Sequence, residues 1–315
     1  MSIEALLRPP DLIGESARMQ HVRLLIHLYA PLRAPVLIHG ETGTGKELVA
    51  RALHEYSPRA ALSFVAVNAA AICPALIDSE LFGHERGSFT GAVRDHAGVF
   101  EQAGMGTLFV DELAELPLSA QARLLRALEN GEVRRVGCVT SRRVTMRVIA
   151  ATNANLHDGV RRGTFRADLY HRIAVLHVRT PALRDRVEDI PAIAEHLLLR
   201  LQDEHGKRSL TPKAIDALTG YAWPGNVRQL LNVIRRTCAV NTGKTISGEM
   251  IRAALADEPI RAAVRPVRRA VVMPTTDEIT TALHAANGRL SGAARLLGMP
   301  RTTLREHLRR QRIPR

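Results

Sequence analysis

The run Val36-Leu37-Ile38-His39 passes straight into Gly40-Glu41-Thr42-Gly43-Thr44-Gly45-Lys46, and apolar positions 48, 49, 52 and 53 follow at helical spacing. A buried strand, a turn with three glycines and a helix leave the backbone few choices. The turn lets N–H groups point inward, and the free N–H groups that open the helix face the same space. In this strand-to-helix context G-x-x-x-x-G-K cradles phosphate, with the helix's positive end and Lys46 completing the anion site. Glu47 stands where a Ser or Thr usually follows the lysine, so the hydroxyl ligand for Mg²⁺ is missing. Metal coordination then falls to water and to a carboxylate elsewhere.

That carboxylate is supplied by Gly106-Thr-Leu-Phe-Val-Asp111-Glu112, an apolar strand ending in two acids. Asp111 is expected to face a nucleotide-bound Mg²⁺, and Glu112 to polarise the attacking water, which makes the pair a site for ATP hydrolysis. Phe64 to Val67, Leu108 to Val110 and Val144 to Ala151 read as further strands, the last ending at Thr152-Asn153. Polar residues at the carboxyl ends of strands are where open α/β sheets bind ligands. Residues 12–180 are therefore expected to form an α/β domain: a parallel sheet with helices on both faces. Asn68 closes its own strand. It either caps the strand end or hydrogen-bonds Glu112 and holds it idle. Arg166 and Arg172, six residues apart, read either as a salt-bridged surface helix or as cations offered to a neighbouring subunit's γ-phosphate. Arg228, in the first turn of a later helix, is a further phosphate candidate.

Residues 83–92 read Gly-His-Glu-Arg-Gly-Ser-Phe-Thr-Gly-Ala and lie between the two nucleotide motifs. Glycines at 83, 87 and 91 exclude a comfortable helix or strand. A flexible hairpin tip presenting Phe89 and Thr90 is expected to touch something else, although a ring tucked back into the core is the plainer reading of the loop alone.

Beyond the first eleven residues and the α/β domain, a helical pattern over 181–256 suggests a lid. Thr211-Pro212 opens one of its helices and Trp223-Pro224-Gly225-Asn226 separates two. Residues 257–274 read as a Pro- and Arg-containing linker, and Thr275 with Glu278 as a capping box that opens a final segment, 275–315. The net charge is +13, and residues 259–315 carry twelve arginines against three acids. That is the electrostatic footprint of nucleic-acid binding. Residues 291–298 and 300–308 fit two short helices around a turn, with Arg301, Arg305 and Arg309 repeating every fourth residue. A helix-turn-helix is favoured over a three-helix protein-interaction module, with Arg301, Thr302, Thr303, Arg305 and Arg309 against DNA. Three cysteines that cannot all pair internally, no zinc-site spacing, no signal peptide and no bilayer-length apolar run suit a cytoplasmic, nucleoid-associated protein.

Glu80-Leu-Phe-Gly-His-Glu-Arg-Gly-Ser-Phe-Thr-Gly-Ala92, with the motifs above, resembles the AAA+ activators of bacterial sigma-54 RNA polymerase, the enhancer-binding proteins. The resemblance runs from about Leu12 to Leu255 and resumes in a Fis-type C-terminus. It implies that Gly87, Ser88, Phe89, Thr90, Gly91 and Ala92 contact sigma-54, with Ser88 standing where the family has Ala. It also implies that Glu47 is ordinary after the lysine, that Asn68 restrains Glu112, and that Thr152 and Asn153 form sensor I. Arg166 and Arg172 would be arginine fingers and Arg228 sensor II, followed by Gln229 where the family commonly has Glu.

The function so implied is ATP-driven conversion of closed to open promoter complex by a homo-oligomeric ring, a hexamer by resemblance, with dimers bound to upstream double-stranded DNA. With about eleven residues ahead of the ATPase domain, control is expected from a partner protein in trans or from expression level. The alternative is a DNA-binding regulator that uses ATP as an oligomerisation switch without touching sigma-54. The Phe-Thr loop argues against it.

Overall fold

A computed structural model describes residues 12–258, so the candidate DNA contacts Arg301, Thr302, Thr303, Arg305 and Arg309 lie outside the described residues. In chain order the elements are α1 (Ala17–Tyr29), β1 (Val36–His39), α2 (Lys46–Glu55), β2 (Phe64–Asn68), α3 (Ile77–Phe82), α4 (Val99–Ala103) and β3 (Thr107–Asp111). There follow α5 (Leu118–Asn130), β4 (Glu132–Arg134), β5 (Ser141–Arg143), β6 (Arg147–Thr152), α6 (Leu156–Arg161), α7 (Ala167–Ile173) and β7 (Leu176–Arg179). The lid region holds α8 (Ile190–Arg200), α9 (Gln202–His205), β8 (Ser209–Leu210), α10 (Pro212–Thr219), α11 (Asn226–Val240), β9 (Thr245–Ile246) and α12 (Gly248–Ala256).

Five strands form one parallel sheet in the order β2-β3-β6-β1-β7. Its centre is apolar on both faces, as a parallel sheet covered by helices on both sides must be. All six residues of β6 are buried. Alternation sorts the side chains. Val36, Ile38, Phe109, Ile149 and Val178 pack with α1 and α2. Leu37, Leu108, Val110 and Ala150 face the other way, against α3, α4, α5 and α7. This is the α/β architecture expected from the sequence. The lid helices bury a separate cluster around Trp223, Leu230, Val233 and Ile234.

One strand begins later than its apolar run suggests. Val144 is buried but belongs to the exit of a β4–β5 hairpin: its N–H bonds Gly131 O at 2.8 Å, where Gly131 turns the chain at φ +66°. The parallel ladder starts only at Arg147, whose N–H reaches Gly106 O at 2.9 Å. The run Val144 to Ala151 is thus a hairpin exit joined to a strand. Apolar content alone does not mark that boundary.

The segment ahead of α1 ties the sheet to the lid. Leu12 packs on the sheet's core and Ile13 on the lid's. Asp189, 2% exposed, accepts Glu15 N–H at 2.7 Å, Ser16 N–H at 2.8 Å and the Ser16 hydroxyl at 2.6 Å. Arg23 reaches back to the carbonyls of Leu12 and Gly14. Among the described residues, no helix is long and apolar enough to cross a membrane.

Candidate active site and projecting loop

The glycine turn is shaped by its neighbours. A Cβ at Gly40 would overlap the Thr180 hydroxyl, and one at Gly43 would strike Gly225 O, so neither position admits a side chain. Gly43 and Gly45 adopt φ of +80° and +100°. Gly45 opens α2 with no side-chain cap, which leaves the helix's first N–H groups without a side-chain acceptor. Uncapped N–H groups over a glycine cradle fit a polyphosphate. Thr44 helps hold the turn closed, its hydroxyl 2.8 Å from both Glu41 O and the Thr180 hydroxyl.

Lys46 is 7% exposed, donates to Gly40 O at 3.1 Å and stands 3.6 Å from Glu112 Oε1. Its charge is thus met by the carboxylate that ends the Asp111-Glu112 pair. Glu112 sits in the left-handed region at φ +50°, with its N–H on Asp111 Oδ1 at 3.0 Å. Burial, first, and then the Glu112 charge raise the Asp111 carboxyl above its ordinary value. A carboxyl so placed ionises more readily when a cation arrives. The donor set fits Mg²⁺ carried with a nucleotide. Among the described residues no cluster of three or more His, Cys, Asp or Glu could hold a resident metal.

Thr152 and Asn153 complete this end of the sheet. Thr152 is fully buried at the end of β6, its carbonyl accepting Gly40 N–H at 3.2 Å and its hydroxyl Ala154 N–H at 3.0 Å. Asn153 donates its amide to the Thr42 hydroxyl at 3.0 Å, and its N–H lies 3.4 Å from Glu112 Oε2. Asn68 takes the capping alternative. Its Oδ1 accepts Ala70 N–H at 2.9 Å, and Glu112 is met by Lys46 and Asn153 instead. Glu47 is engaged by Arg51 one turn along α2, at 2.8 Å, yet lies near enough to Asp111 to oppose its ionisation. A cavity of about 820 Å³ opens beside the turn, lined by His39, Glu41, Asn153, Arg179 and Arg184 among others.

Several residues that organise the site carry no motif. Asn226 is fully buried at φ +53°; its Oδ1 accepts Leu183 N–H at 2.8 Å, and its Nδ2 donates to Thr42 O at 3.0 Å and Glu41 Oε2 at 3.1 Å. Arg184 binds both Glu41 oxygens and holds that carboxyl below its ordinary value. Val227 N–H bonds Gly43 O at 3.0 Å, and buried Arg186 donates to Thr44 O at 3.2 Å. The lid is thereby hydrogen-bonded to the glycine turn itself. Arg228 follows in α11, exposed, with its Cβ against the space that Gly43 leaves open. Gln229 is buried and donates to Glu258 at 2.6 Å.

Arg166 and Arg172 stand at opposite ends of α7, both exposed. Arg166 forms a bidentate pair with Asp168 at 2.7 and 3.0 Å, and Arg172 donates to Leu128 O at 2.7 Å. The surface-pair reading of Arg166 therefore describes this subunit on its own.

The loop over residues 83–92 is clamped at its base. His84 and His96 exchange both backbone hydrogen bonds, at 3.1 and 2.9 Å. Val136 of the β4–β5 hairpin donates to Gly83 O at 2.9 Å and accepts Glu85 N–H at 3.1 Å. Gly83, Gly87 and Gly91 all have positive φ, which explains why the loop needs glycine there. Turn bonds from Gly87 N–H to Ala92 O and from Ala92 N–H to Phe89 O close the tip. Phe89 remains 37% exposed while its ring meets His84 edge-on at 5.0 Å, so it is neither fully presented nor tucked into the core. Thr90 and Gly91 are exposed, and Ala92 is buried. Ser88 lies against Gly137, its hydroxyl buried without a partner.

Three family models match the chain: a sigma-54 interaction domain over residues 12–179, an AAA+ ATPase lid domain over 184–267, and a Fis-family bacterial regulatory protein over 276–310. The transcriptional regulatory protein ZraR of Salmonella typhimurium is 44% identical over 301 residues, covering 95% of this chain and 68% of that protein. The DNA-binding transcriptional regulator NtrC of the same organism is 43% identical over 326 residues, covering 95% and 70%. Among solved structures, NtrX from Brucella abortus in complex with ATP aligns with a TM-score of 0.72 at 34% identity, covering 95% of this chain and 69% of that one.

Proposed function

This chain belongs to the sigma-54-dependent transcriptional activators, with an AAA+ core and a Fis-type DNA-binding segment, and from that premise we propose that it hydrolyses ATP to convert closed promoter complexes to open ones. The observation that carries this reading is the loop bearing Phe89 and Thr90, clamped to the β4–β5 hairpin between the two nucleotide motifs. Phe89 and 86%-exposed Val139 offer two apolar side chains along a cleft also lined by Arg123, Arg126 and Arg134, a mixed surface suited to a protein partner. Use of ATP as an oligomerisation switch alone leaves that surface without a purpose, and the sigma-54 domain match does not favour it.

In this reading Gly40 to Lys46 bind the phosphates through backbone N–H groups and the Lys46 ammonium. When bound, ATP with Mg²⁺ supplies the phosphoryl group and the divalent charge, with Asp111 the protein carboxylate nearest that role. Glu112 orients the attacking water and accepts its proton. Thr152, Asn153 and Arg228 sense the γ-phosphate from sheet and lid, and Asn68 restrains Glu112 once it leaves Ala70. Glu41, Thr42 and Glu47 position the turn. Arg166 and Arg172, released from Asp168 and Leu128 O, reach a neighbour's site in a ring, which we take as hexameric. Residues 275–315 place dimers on upstream DNA through Arg301, Thr302, Thr303, Arg305 and Arg309.

The test is promoter opening by sigma-54 polymerase with purified protein and ATP, comparing wild type with Thr90→Ala. Opening by wild type that is lost in the variant, while hydrolysis persists, supports the coupling. Hydrolysis and DNA binding by wild type without opening at any cognate promoter refute it.

A further inference from the structure

At the amino-terminal edge of the sheet, the end opposite the nucleotide turn, three arginines meet around a cavity of about 240 Å³ lined by Ala30, Arg33, Ser57, Arg59 and Arg147 among others. Arg147 is the first residue of β6 and is 2% exposed. Its guanidinium donates to Tyr29 O at 2.7 Å, Ala30 O at 2.9 Å and Leu53 O at 3.3 Å, the carbonyl ends of α1 and α2. Those carbonyls offset part of its charge. Its Nε is buried with no partner at all. Arg59 makes one long bond, to Thr145 O at 3.4 Å, and Arg33 is exposed.

Among the described residues, none of the three forms an ion pair with a carboxylate. Burial, first, and then a neighbouring guanidinium lower two of them: Arg59 beside Arg33, and Arg147, lowered to about 10, beside Arg59. Charges gathered in a concavity without counter-ions usually await one. The volume admits a tetrahedral oxyanion with a few waters, at roughly 30 Å³ per water.

We propose that Arg33, Arg59 and Arg147 form a second anion site, for a phosphate or small phosphomonoester, separate from the nucleotide turn. The forked donors of arginine suit such an oxyanion. The six residues of β6 run from this site to Thr152 at the sensor end, so the two sites stand about 17–20 Å apart along the strand. No helix N-terminus is involved. The positive charge comes from side chains, and the helix ends that meet Arg147 are carbonyl ends.

The full chain is first saturated with Mg²⁺ and a non-hydrolysable ATP analogue, so that the γ-phosphate position is filled. Inorganic phosphate is then titrated in and its ³¹P line width followed. Saturable binding in wild type that is about tenfold weaker or worse in both Arg33→Gln and Arg59→Gln is expected, since each variant loses a charge-assisted contact. Both side chains reach the surface, so thermal melts of the variants should match wild type and keep the comparison one of binding. Glycerol phosphate competing as well as phosphate assigns the site to phosphomonoesters, and phosphate alone assigns it to the free ion. Absence of saturable binding at millimolar phosphate, or equal binding by all three proteins, overturns the proposal.

Discussion

Asn226→Ala is the perturbation that most directly tests how the lid is fixed to the nucleotide turn. The side chain satisfies buried Leu183 N–H and donates to Thr42 O and Glu41. Removing it leaves one buried donor unpaired, at about 1–3 kcal/mol, and weakens the hold on Thr42 O by about 1 kcal/mol. Glu41 keeps Arg184, so that contact adds little. Alanine must also adopt φ near +53°, where Asn is tolerated and Ala costs about 1–2 kcal/mol. Together these give roughly 3–6 kcal/mol, or a melting temperature lower by roughly 10 °C or more for a unit of this size. The companion Asn226→Gly loses the same hydrogen bonds but fits the left-handed turn, and should recover about 1 kcal/mol of the deficit. Calorimetric melts of the three proteins, with titration of a fluorescent ATP analogue, read out both effects. Stability and nucleotide affinity should fall in the order wild type, Gly, Ala. If both variants melt within about 2 °C of wild type, the buried amide carries no such energy. A Gly variant less stable than Ala would refute the backbone argument alone.

Glu112→Gln should abolish most ATP hydrolysis, by about 10²- to 10⁴-fold, while nucleotide still binds, as measured by steady-state turnover beside equilibrium titration. Because burial and Glu112 hold the Asp111 carboxyl above its ordinary value, Mg²⁺-dependent nucleotide binding should weaken as pH falls through that raised value and recover above it. In Glu112→Gln the midpoint of that profile should move to lower pH, and an unmoved midpoint excludes the Glu112 charge as a cause. Ser88→Ala removes a buried, unpartnered hydroxyl beside Gly137 and is expected to leave the unfolding free energy, read by chemical denaturation, equal or higher by about 1 kcal/mol at most. Arg135→Gln breaks the bidentate pair with Glu101 at 2.7 and 2.8 Å and should cost about 2 kcal/mol at pH 7 by chemical denaturation. Arg135 lowers the Glu101 carboxyl, so that stabilisation is present above the ordinary Glu value near 4.3 and is lost as pH falls through the lowered one. The variant's stability should therefore fall less steeply with acid than wild type's.

What could be read in the sequence was whatever the chain specifies within about fifteen residues. The glycine turn, the apolar strand ending at Asp111 and the positive-φ glycines of the projecting loop are local demands on backbone conformation, and each lies where its spacing places it. The ties that hold the site together are not local. Asn226 meets Glu41 and Thr42 across 185 and 184 residues, and Asp189 meets Ser16 across 173. Nothing in composition or periodicity pairs such positions. Asn68 shows the opposite limit: a bond to Ala70 two residues away outcompetes the distant Glu112, as short polar side chains near strand ends commonly do.

Glu112 is the residue for which sequence pattern and backbone disagree most. An apolar run followed by two acids predicts its position but not its φ of +50°, a conformation that costs a glutamate about 1–2 kcal/mol. The cost is offset locally, by its N–H on Asp111 and its carboxylate beside Lys46. The turn that strains Glu112 also sets its two carboxylate oxygens against the Lys46 ammonium and the N–H of Asn153. A group arriving between Lys46 and Glu112 would remove the Lys46 contact and leave the strained turn held by Asp111 and the Asn153 N–H. In the function proposed above, nucleotide occupancy and the position of Glu112 are coupled through the Lys46 contact, and Lys46→Met should uncouple them.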